Sequence, residues 1–305
     1  MVAQIIDGTR IAAQIREQLS FRISGLKVSG VTPGLAVILV GNDPASESYV
    51  RGKGRAAEEL GIYSRQINLP ETISEEELIR QIDYLNADPK IHGILVQSPL
   101  PSHLDENKVV LRIDPAKDVD GFHPMNVGKM LIGVPGLLPA TPHGIQELLL
   151  RTGNDPGGKH VVVVGRSNLV GKPVAAILVQ KAKGANATVT ICHSGTVDLA
   201  KLTRQADILI AAMGKPRFIT ADMVKDGAVV IDVGVTREED PLAKKGYRLV
   251  GDVDFEAVSR KAKAITPVPG GVGPMTVAML MVNTVSAAEE QTHRAQTKRT
   301  NSGGA

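Results

Sequence analysis

Tyr49 and Lys53 stand four residues apart in YVRGK, just after a turn-like GNDP. At that spacing both side chains share one face of a helix, and a lysine so placed can assist a proton-donating tyrosine. The same pair could be surface neighbours on an amphipathic helix, and the local sequence leaves both readings open. GILVQSPLP puts Gln97 at the carboxyl end of an apolar strand, where α/β proteins place ligands. KDVDGFHP sets Asp118 and Asp120 in a loop beside Gly121, and TPVPGGVGPMT sets paired glycines before a helix N-terminus. Two aspartates two apart could ligate a metal, but no His or Glu follows at metal-site spacing, so no metal is expected. His143, His160 and His193 are scattered in the sequence and read as structural or as the rim of a cofactor site.

A second group of residues suggests a nucleotide. In VVVVGRSNLVGKPVA a four-valine strand runs into Gly165, and Gly171 precedes Pro173 and an apolar helix. Glycines there let a pyrophosphate approach the backbone, while the helix N-terminus offers free N–H groups and positive dipole. The pattern departs from the usual Gly-x-Gly-x-x-Gly, and a plain strand-to-helix turn is the simpler alternative. The order strand, loop, helix, strand favours the cofactor. The next strand, ATVTICHSGT, ends without a carboxylate until Asp198. An acidic residue there would bind the ribose 2′-hydroxyl of NAD, whereas Arg166 and Ser194 suit a 2′-phosphate. NADP is therefore expected; otherwise Arg166 is a solvated loop charge.

These residues need a scaffold, and strand-like runs alternating with helical stripes along nearly the whole chain indicate an α/β protein. Ile11, Ile15, Leu19 and Ile23 make one face of a first helix. LAVILV and HGILVQ read as strands, with a helix at about residues 45–60 between them that Gly61 stops. Ser74 and Glu77 form a capping box. Residues 114–138 read as functional loop, and Thr141 and Pro142 as the N-cap and first turn of a helix. HVVVVG, ATVTIC, ADILIAA and GAVVIDVG are the strands of the nucleotide unit. The closing MTVAMLMVNTVSAAEE is apolar nearly all round, which requires burial between elements or at a subunit contact.

Composition narrows the classes. With 305 residues, 43% hydrophobic and 22% charged, the chain suits one large or two ordinary globular domains. No apolar run reaches the roughly 18 residues of a membrane span, and MVAQIIDGTR lacks signal-peptide design. A net charge of +3 and 3% aromatics speak against nucleic acid. The single Cys192, in a buried strand, fits a reducing, cytoplasmic setting.

Taken together, GNDPASESYVRGK, GILVQSPLP, DPAKDVDGFHP, LPATPHGI, VVVVGRSNLVGKP, ATVTICHSGT and TPVPGGVGPMT resemble, in order, the methylenetetrahydrofolate dehydrogenase/cyclohydrolase family. The resemblance runs from about residue 7 to 285. It departs at Ser98, where the family commonly has leucine. It implies two lobes: an α/β catalytic domain over 1–140 completed by 272–290, and a Rossmann-type NADP-binding domain over 141–271. Residues 291–305 would be a disordered polar tail. It further implies tetrahydrofolate derivatives as substrates, a homodimer formed largely through the nucleotide-binding domains, and an active site in the cleft between the lobes. Lys53 would be the central catalytic residue, Gln97 would orient it, Tyr49 would line the pterin and Asp120 hold the pterin edge, with Gly271 and Pro274 bordering the folate. Gly165, Arg166, Ser167, Gly171, His193, Ser194 and Val235 would meet NADP, Arg166 and Ser194 at the 2′-phosphate.

Three rivals remain. Short-chain dehydrogenases place the tyrosine and lysine after the glycine-rich loop, the reverse of the order here. A shikimate- or amino-acid-type dehydrogenase shares a Rossmann lobe and a lysine but leaves DVDGF and PGGVGPMT unexplained. A non-catalytic NADP- or folate-binding regulator would be expected to lack Lys53 or Gln97. Within the family, a monofunctional dehydrogenase is the alternative to the bifunctional enzyme.

Overall fold

The computed structural model describes residues 2–243 and 246–302. In chain order the elements are β1 (Gln4–Ile5), α1 (Gly8–Val28), β2 (Gly34–Val40), α2 (Pro44–Glu59), β3 (Tyr63–Leu69), α3 (Glu75–Ala87) and β4 (Gly93–Val96). There follow α4 (Glu106–Arg112), α5 (Pro124–Ile132), α6 (Ala140–Arg151), β5 (His160–Val164), α7 (Gly171–Leu178), β6 (Thr188–Cys192), α8 (Leu199–Thr203) and β7 (Ile208–Ala211). Last come β8 (Val229–Asp232), β9 (Thr236–Glu239), β10 (Tyr247–Val250), α9 (Phe255–Val258), β11 (Ala264–Ile265) and α10 (Val272–Ser302). The chain forms two compact units, one of residues 14–140 with 277–305 and one of 1–13 with 141–276.

In the 14–140 unit, β2 lies between β3 and β4 in a parallel sheet. Every residue of β2 is buried, as the central strand of a parallel sheet covered on both faces requires. Ala36, Ile38 and Val40 pack with Leu78, Ile82 and Leu85 of α3 and Val109 of α4. The capping box forms as expected: Ser74 accepts from the Glu77 amide and Glu77 accepts from the Ser74 amide. Ile15, Leu19 and Ile23 of α1 are buried, and so are Met279, Leu280, Met281 and Val285 of α10. Arg22 joins these two helices, donating to Glu289 Oε2 at 2.6 Å and to Ser286 Oγ at 2.8 Å.

The 141–276 unit holds a parallel six-stranded sheet in the order β1-β11-β8-β7-β5-β6. β5 pairs with β6 on one side and β7 on the other, so the strand order reverses at β5, the switch point of a doubly wound fold. Val162, Val164, Leu209, Ala211 and Val230 share one core, with Cys192 buried among them.

Four expectations are corrected. The stretch 114–138 is not all loop, because α5 lies within it. His123 caps its start by accepting from the Met125 amide, Pro124 occupies the first turn, and Gly133 ends it in the left-handed conformation. Thr141 is inside α6 rather than its N-cap, and its hydroxyl lies 2.8 Å from that of Thr276. Residues 1–13 and 272–276 group with the nucleotide unit, since β1 extends that sheet by pairing with β11. α10 continues through 302, so 291–302 is helical; the last three residues of the expected tail lie outside the described residues.

Candidate active site

Lys53 sits in the third turn of α2, a helix begun by Asp43, whose side chain accepts from the Ser46 amide. Its side chain is buried, and Nζ donates to Gln97 Oε1 at 2.9 Å. Gln97 follows β4 directly, with its amide hydrogen-bonded to the Ile38 carbonyl of β2. Its side-chain Nε2 donates to the Ser98 carbonyl at 2.8 Å, which leaves Oε1 turned to the lysine. The amide orientation is thus fixed by the chain's own backbone, and Ser98 takes part through its carbonyl, not its side chain.

Asp118 and Asp120 divide the labour of their loop. Asp118 is buried and accepts from the Gly121 and His123 amides and from Asn126 Nδ2 at 3.1, 2.8 and 2.9 Å. Asn283 of α10 donates to the carbonyls of Val119 and Leu138 at 2.8 and 2.7 Å, fastening the loop from the other side. Gly121 is at φ +76°, and a Cβ there would stand 2.6 Å from the Leu138 carbonyl carbon. This frame leaves Asp120 to interact electrostatically with Lys53. Burial lowers the lysine pKa against the pull of Asp120, and burial raises the Asp120 carboxyl to about 6 against the pull of Lys53. Burial thus brings the acidities of the lysine and the aspartate closer together than in the free groups, a condition that favours acid/base work. Tyr49, one turn before Lys53, is 52% exposed.

Asn126 and Asn283 escaped the sequence reading, although a lone asparagine in the apolar MTVAMLMVNTVSAAEE was a usable signal: a buried amide must find partners. Lys117, next to the aspartates, is a structural lysine whose Nζ donates to the carbonyls of Leu85, Asn86 and Asp88 at the end of α3. Among the described residues no group of three or more His, Cys, Asp or Glu could hold a metal.

In the other unit, β5 runs into Gly165 at φ +133°, where a Cβ would lie 2.2 Å from the Ala212 carbonyl oxygen. A Cβ on Gly171 would lie 2.2 Å from the Gly165 carbonyl oxygen, so both glycines are sterically required. Ser167 Oγ accepts from the Val170 and Gly171 amides at 3.1 and 3.3 Å and shapes the turn into α7. After β6, the His193 amide donates to Thr196 Oγ1, and His193 Nδ1 accepts from the Gly195 amide at 3.1 Å. Arg166 and Ser194 are exposed in these turns, and Val235, in the turn after β8, is 45% exposed. The closely packed glycine cradle and the lack of a carboxylate at the end of β6 suit a phosphorylated dinucleotide. Gly271 and Pro274 belong to this unit, not to that of Lys53. Gly8 packs on the PGG turn so tightly that a Cβ would stand 1.8 Å from the Gly271 carbonyl oxygen.

One unit with a Rossmann-type parallel sheet and a glycine-lined turn, and another with a lysine-glutamine-aspartate site, together have the makeup of a two-unit dehydrogenase. Residues 6–120 match the catalytic domain, and 139–292 the NAD(P)-binding domain, of the tetrahydrofolate dehydrogenase/cyclohydrolase family, and the chain belongs to that family. It is 61% identical over 291 residues to the bifunctional protein FolD of Dehalococcoides mccartyi strain CBDB1, covering 95% of this chain and 98% of that one. Among solved structures, it resembles the Campylobacter jejuni bifunctional FolD with TM-score 0.89 and 47% identity, over 95% of this chain and 99% of that one. It also resembles the Trypanosoma brucei methylenetetrahydrofolate dehydrogenase-cyclohydrolase complexed with NADP and an inhibitor, with TM-score 0.90 and 40% identity over 96% and 99%.

Proposed function

We propose that the chain oxidises 5,10-methylenetetrahydrofolate with NADP⁺ and hydrolyses the resulting 5,10-methenyltetrahydrofolate to 10-formyltetrahydrofolate. The observation that carries this reading is the buried Lys53 held by Gln97 and electrostatically coupled to Asp120 in a chain of this family. Bound NADP⁺ supplies the hydride acceptor. Removing a hydride from the methylene carbon leaves a cation shared by two flanking nitrogens, so the protein's task in that step is chiefly to hold the rings in register. Tyr49 lines the pterin, Asp120 accepts hydrogen bonds from its edge, and Gly271 and Pro274 border the folate. Gly165, Ser167, Gly171, His193 and Val235 form the cofactor site, with Arg166 and Ser194 directed to the 2′-phosphate.

In the hydrolytic step water attacks the cationic methenyl carbon and loses one proton; a ring C–N bond then opens as its nitrogen takes up a proton, and the remaining hydroxyl proton is released to solvent as the formyl C=O forms. Lys53, with its charged form disfavoured by burial, accepts the first proton and returns one to the departing nitrogen. Gln97 orients the amine without adding charge. A coupled assay tests the reading: NADPH and methenyltetrahydrofolate appear together in the first step, and loss of methenyl absorbance reports the second. Lys53→Met that hydrolyses methenyltetrahydrofolate at the unmodified rate would refute the lysine's role.

The assembly we infer is a cytoplasmic homodimer that supplies formyl groups to purine synthesis. β6 ends its sheet with one edge unpaired among the described residues, and Val179 and Ile191 nearby are 54% and 41% exposed. An apolar edge of that kind favours a partner. Light scattering of the protein and of an Ile191→Lys variant tests the assembly: a monomer in both overturns it. No helix of the described residues is long and apolar enough to cross a membrane.

A further inference from the structure

The buried carboxylates Asp232 and Asp252 have no part in the proton chemistry above, yet they join the two turns that leave β7 and β8. Asp252 is fully buried. Its Oδ2 accepts from the Met213 and Gly214 amides at 2.6 and 2.9 Å, in the turn after β7. Asp232, the last residue of β8, accepts through Oδ1 from the Gly234 and Asp252 amides at 3.0 and 2.9 Å, and through Oδ2 from the Val253 amide at 2.9 Å. The two groups interlock through glycines: a Cβ on Gly234 would stand 2.2 Å from Asp252 Oδ1, and one on Gly251 would stand 1.9 Å from Asp232 Oδ2. Asp252 Oδ1 itself is buried with no hydrogen-bond partner. Leaving a carboxylate oxygen unsatisfied is costly, and native structures keep such costs mainly where they serve function.

The position supplies that function. In a doubly wound sheet the dinucleotide crosses the carboxyl ends of the strands at the switch point, which here lies between β5 and β7. The turn after β7 therefore faces the cofactor crevice, and its two amide N–H groups are committed to Asp252 rather than free for a ligand. We propose that Asp252 is a positioning residue for NADP: it fixes the Met213–Gly214 turn and, with Asp232, couples it to the Gly234–Val235 turn. This rests on the NADP-dependent reading above. With the clamp intact the two turns stay in one arrangement before the cofactor arrives, and binding need not order them.

The test uses the full chain as Asp252→Ala, Asp252→Asn and Gly234→Ala, the last pushing a methyl group against Asp252 Oδ1. Amide hydrogen exchange without cofactor, NADP⁺ affinity by calorimetry, and the rates of both reactions are measured. Expected for Asp252→Ala is faster exchange confined to the turns after β7 and β8, and NADP⁺ binding weakened on the order of tenfold or more, as loss of charge-assisted hydrogen bonds implies. Hydrolysis of methenyltetrahydrofolate, which consumes no NADP⁺, should stay within about twofold. Asp252→Asn, which keeps an acceptor oxygen, should recover most of the affinity, and Gly234→Ala should reproduce the loss. Unchanged NADP⁺ affinity in Asp252→Ala overturns the proposal. So does parallel loss of both reactions in all three variants with a lowered unfolding midpoint, which would mark a merely structural pair. If the unmodified protein fails to oxidise methylenetetrahydrofolate, the functional reading falls, while exchange and NADP⁺ affinity still decide the role of Asp252.

Discussion

Replacing Gln97 by Glu places a carboxylate where a neutral amide oxygen now sits 2.9 Å from Lys53 Nζ. The side chain keeps nearly the same shape, so the main change is one negative charge. Two unit charges about 4 Å apart attract by about 4 kcal/mol at an effective dielectric of about 20, an upper figure equal to about three pKa units. Asp120 already pulls Lys53 in that direction, and the two carboxylates repel, so the added charge raises the Lys53 pKa by less than that upper figure. Below its pKa, each unit removes about nine-tenths of the neutral amine. If the neutral amine accepts the proton of the attacking water, hydrolysis of methenyltetrahydrofolate near neutral pH should fall about tenfold to a hundredfold in Gln97→Glu. The loss should be recovered as pH rises, because the active form returns. A rate profile taken from about pH 6 to about pH 10 separates this from general damage, which lowers the whole profile without moving it. Hydride transfer, followed by NADPH formation, should change far less. A hydrolysis profile that keeps the unmodified midpoint refutes the role given to the Lys53–Gln97 pair.

Asp120→Asn removes the charge that holds the Lys53 pKa up, so the Lys53 limb of the same profile should move to lower pH, opposite to Gln97→Glu. Asn283→Leu strips two carbonyls of their donor on either side of the Asp120 loop; it should cost about 1–3 kcal/mol in denaturant unfolding and weaken folate binding. Burial raises Asp232 to about 7, well above the roughly 3.9 of an exposed aspartate. The folded chain therefore keeps a proton that the unfolded chain has lost, and this group's stabilising contribution, complete below about pH 4, is lost as pH rises toward about 7. Asp232→Asn should flatten that part of the stability–pH curve measured by thermal unfolding.

What could be read from the sequence follows from where burial is decided locally. LAVILV and VVVV are apolar without interruption because parallel strands covered on both faces need nothing else, and such runs are legible in the sequence alone. β3, YSRQINL, lies at a sheet edge with alternating partial exposure, and its polar letters hide a strand that exists because β2 needs a neighbour. α5 was obscured by the Gly and Pro around it, although His123, Pro124 and Gly133 are its start and stop signals. The site shows the same division. Tyr49, Lys53 and Gln97 drew notice as chemical groups at telling positions, whereas the geometry joining Lys53 to Gln97 spans 44 residues and no local pattern encodes it.

The Tyr-x-x-x-Lys spacing shows how far a local pattern can be trusted. It promises that both side chains share a face, and α2 delivers that, yet one is half exposed and the other buried. A proton-donating tyrosine would need the lysine to act on it. Here the lysine's Nζ is committed to Gln97 Oε1, and its protonation answers to burial and to Asp120. Spacing fixes which side chains are neighbours; the partners brought by β4 and the Asp118–Gly121 turn are what assign the proton to the lysine in the proposed mechanism. For that reason exchanging Tyr49 for Phe should leave the Lys53 limb of the hydrolysis profile in place and act mainly on folate affinity, whereas a tyrosine that donated the proton would take the rate with it.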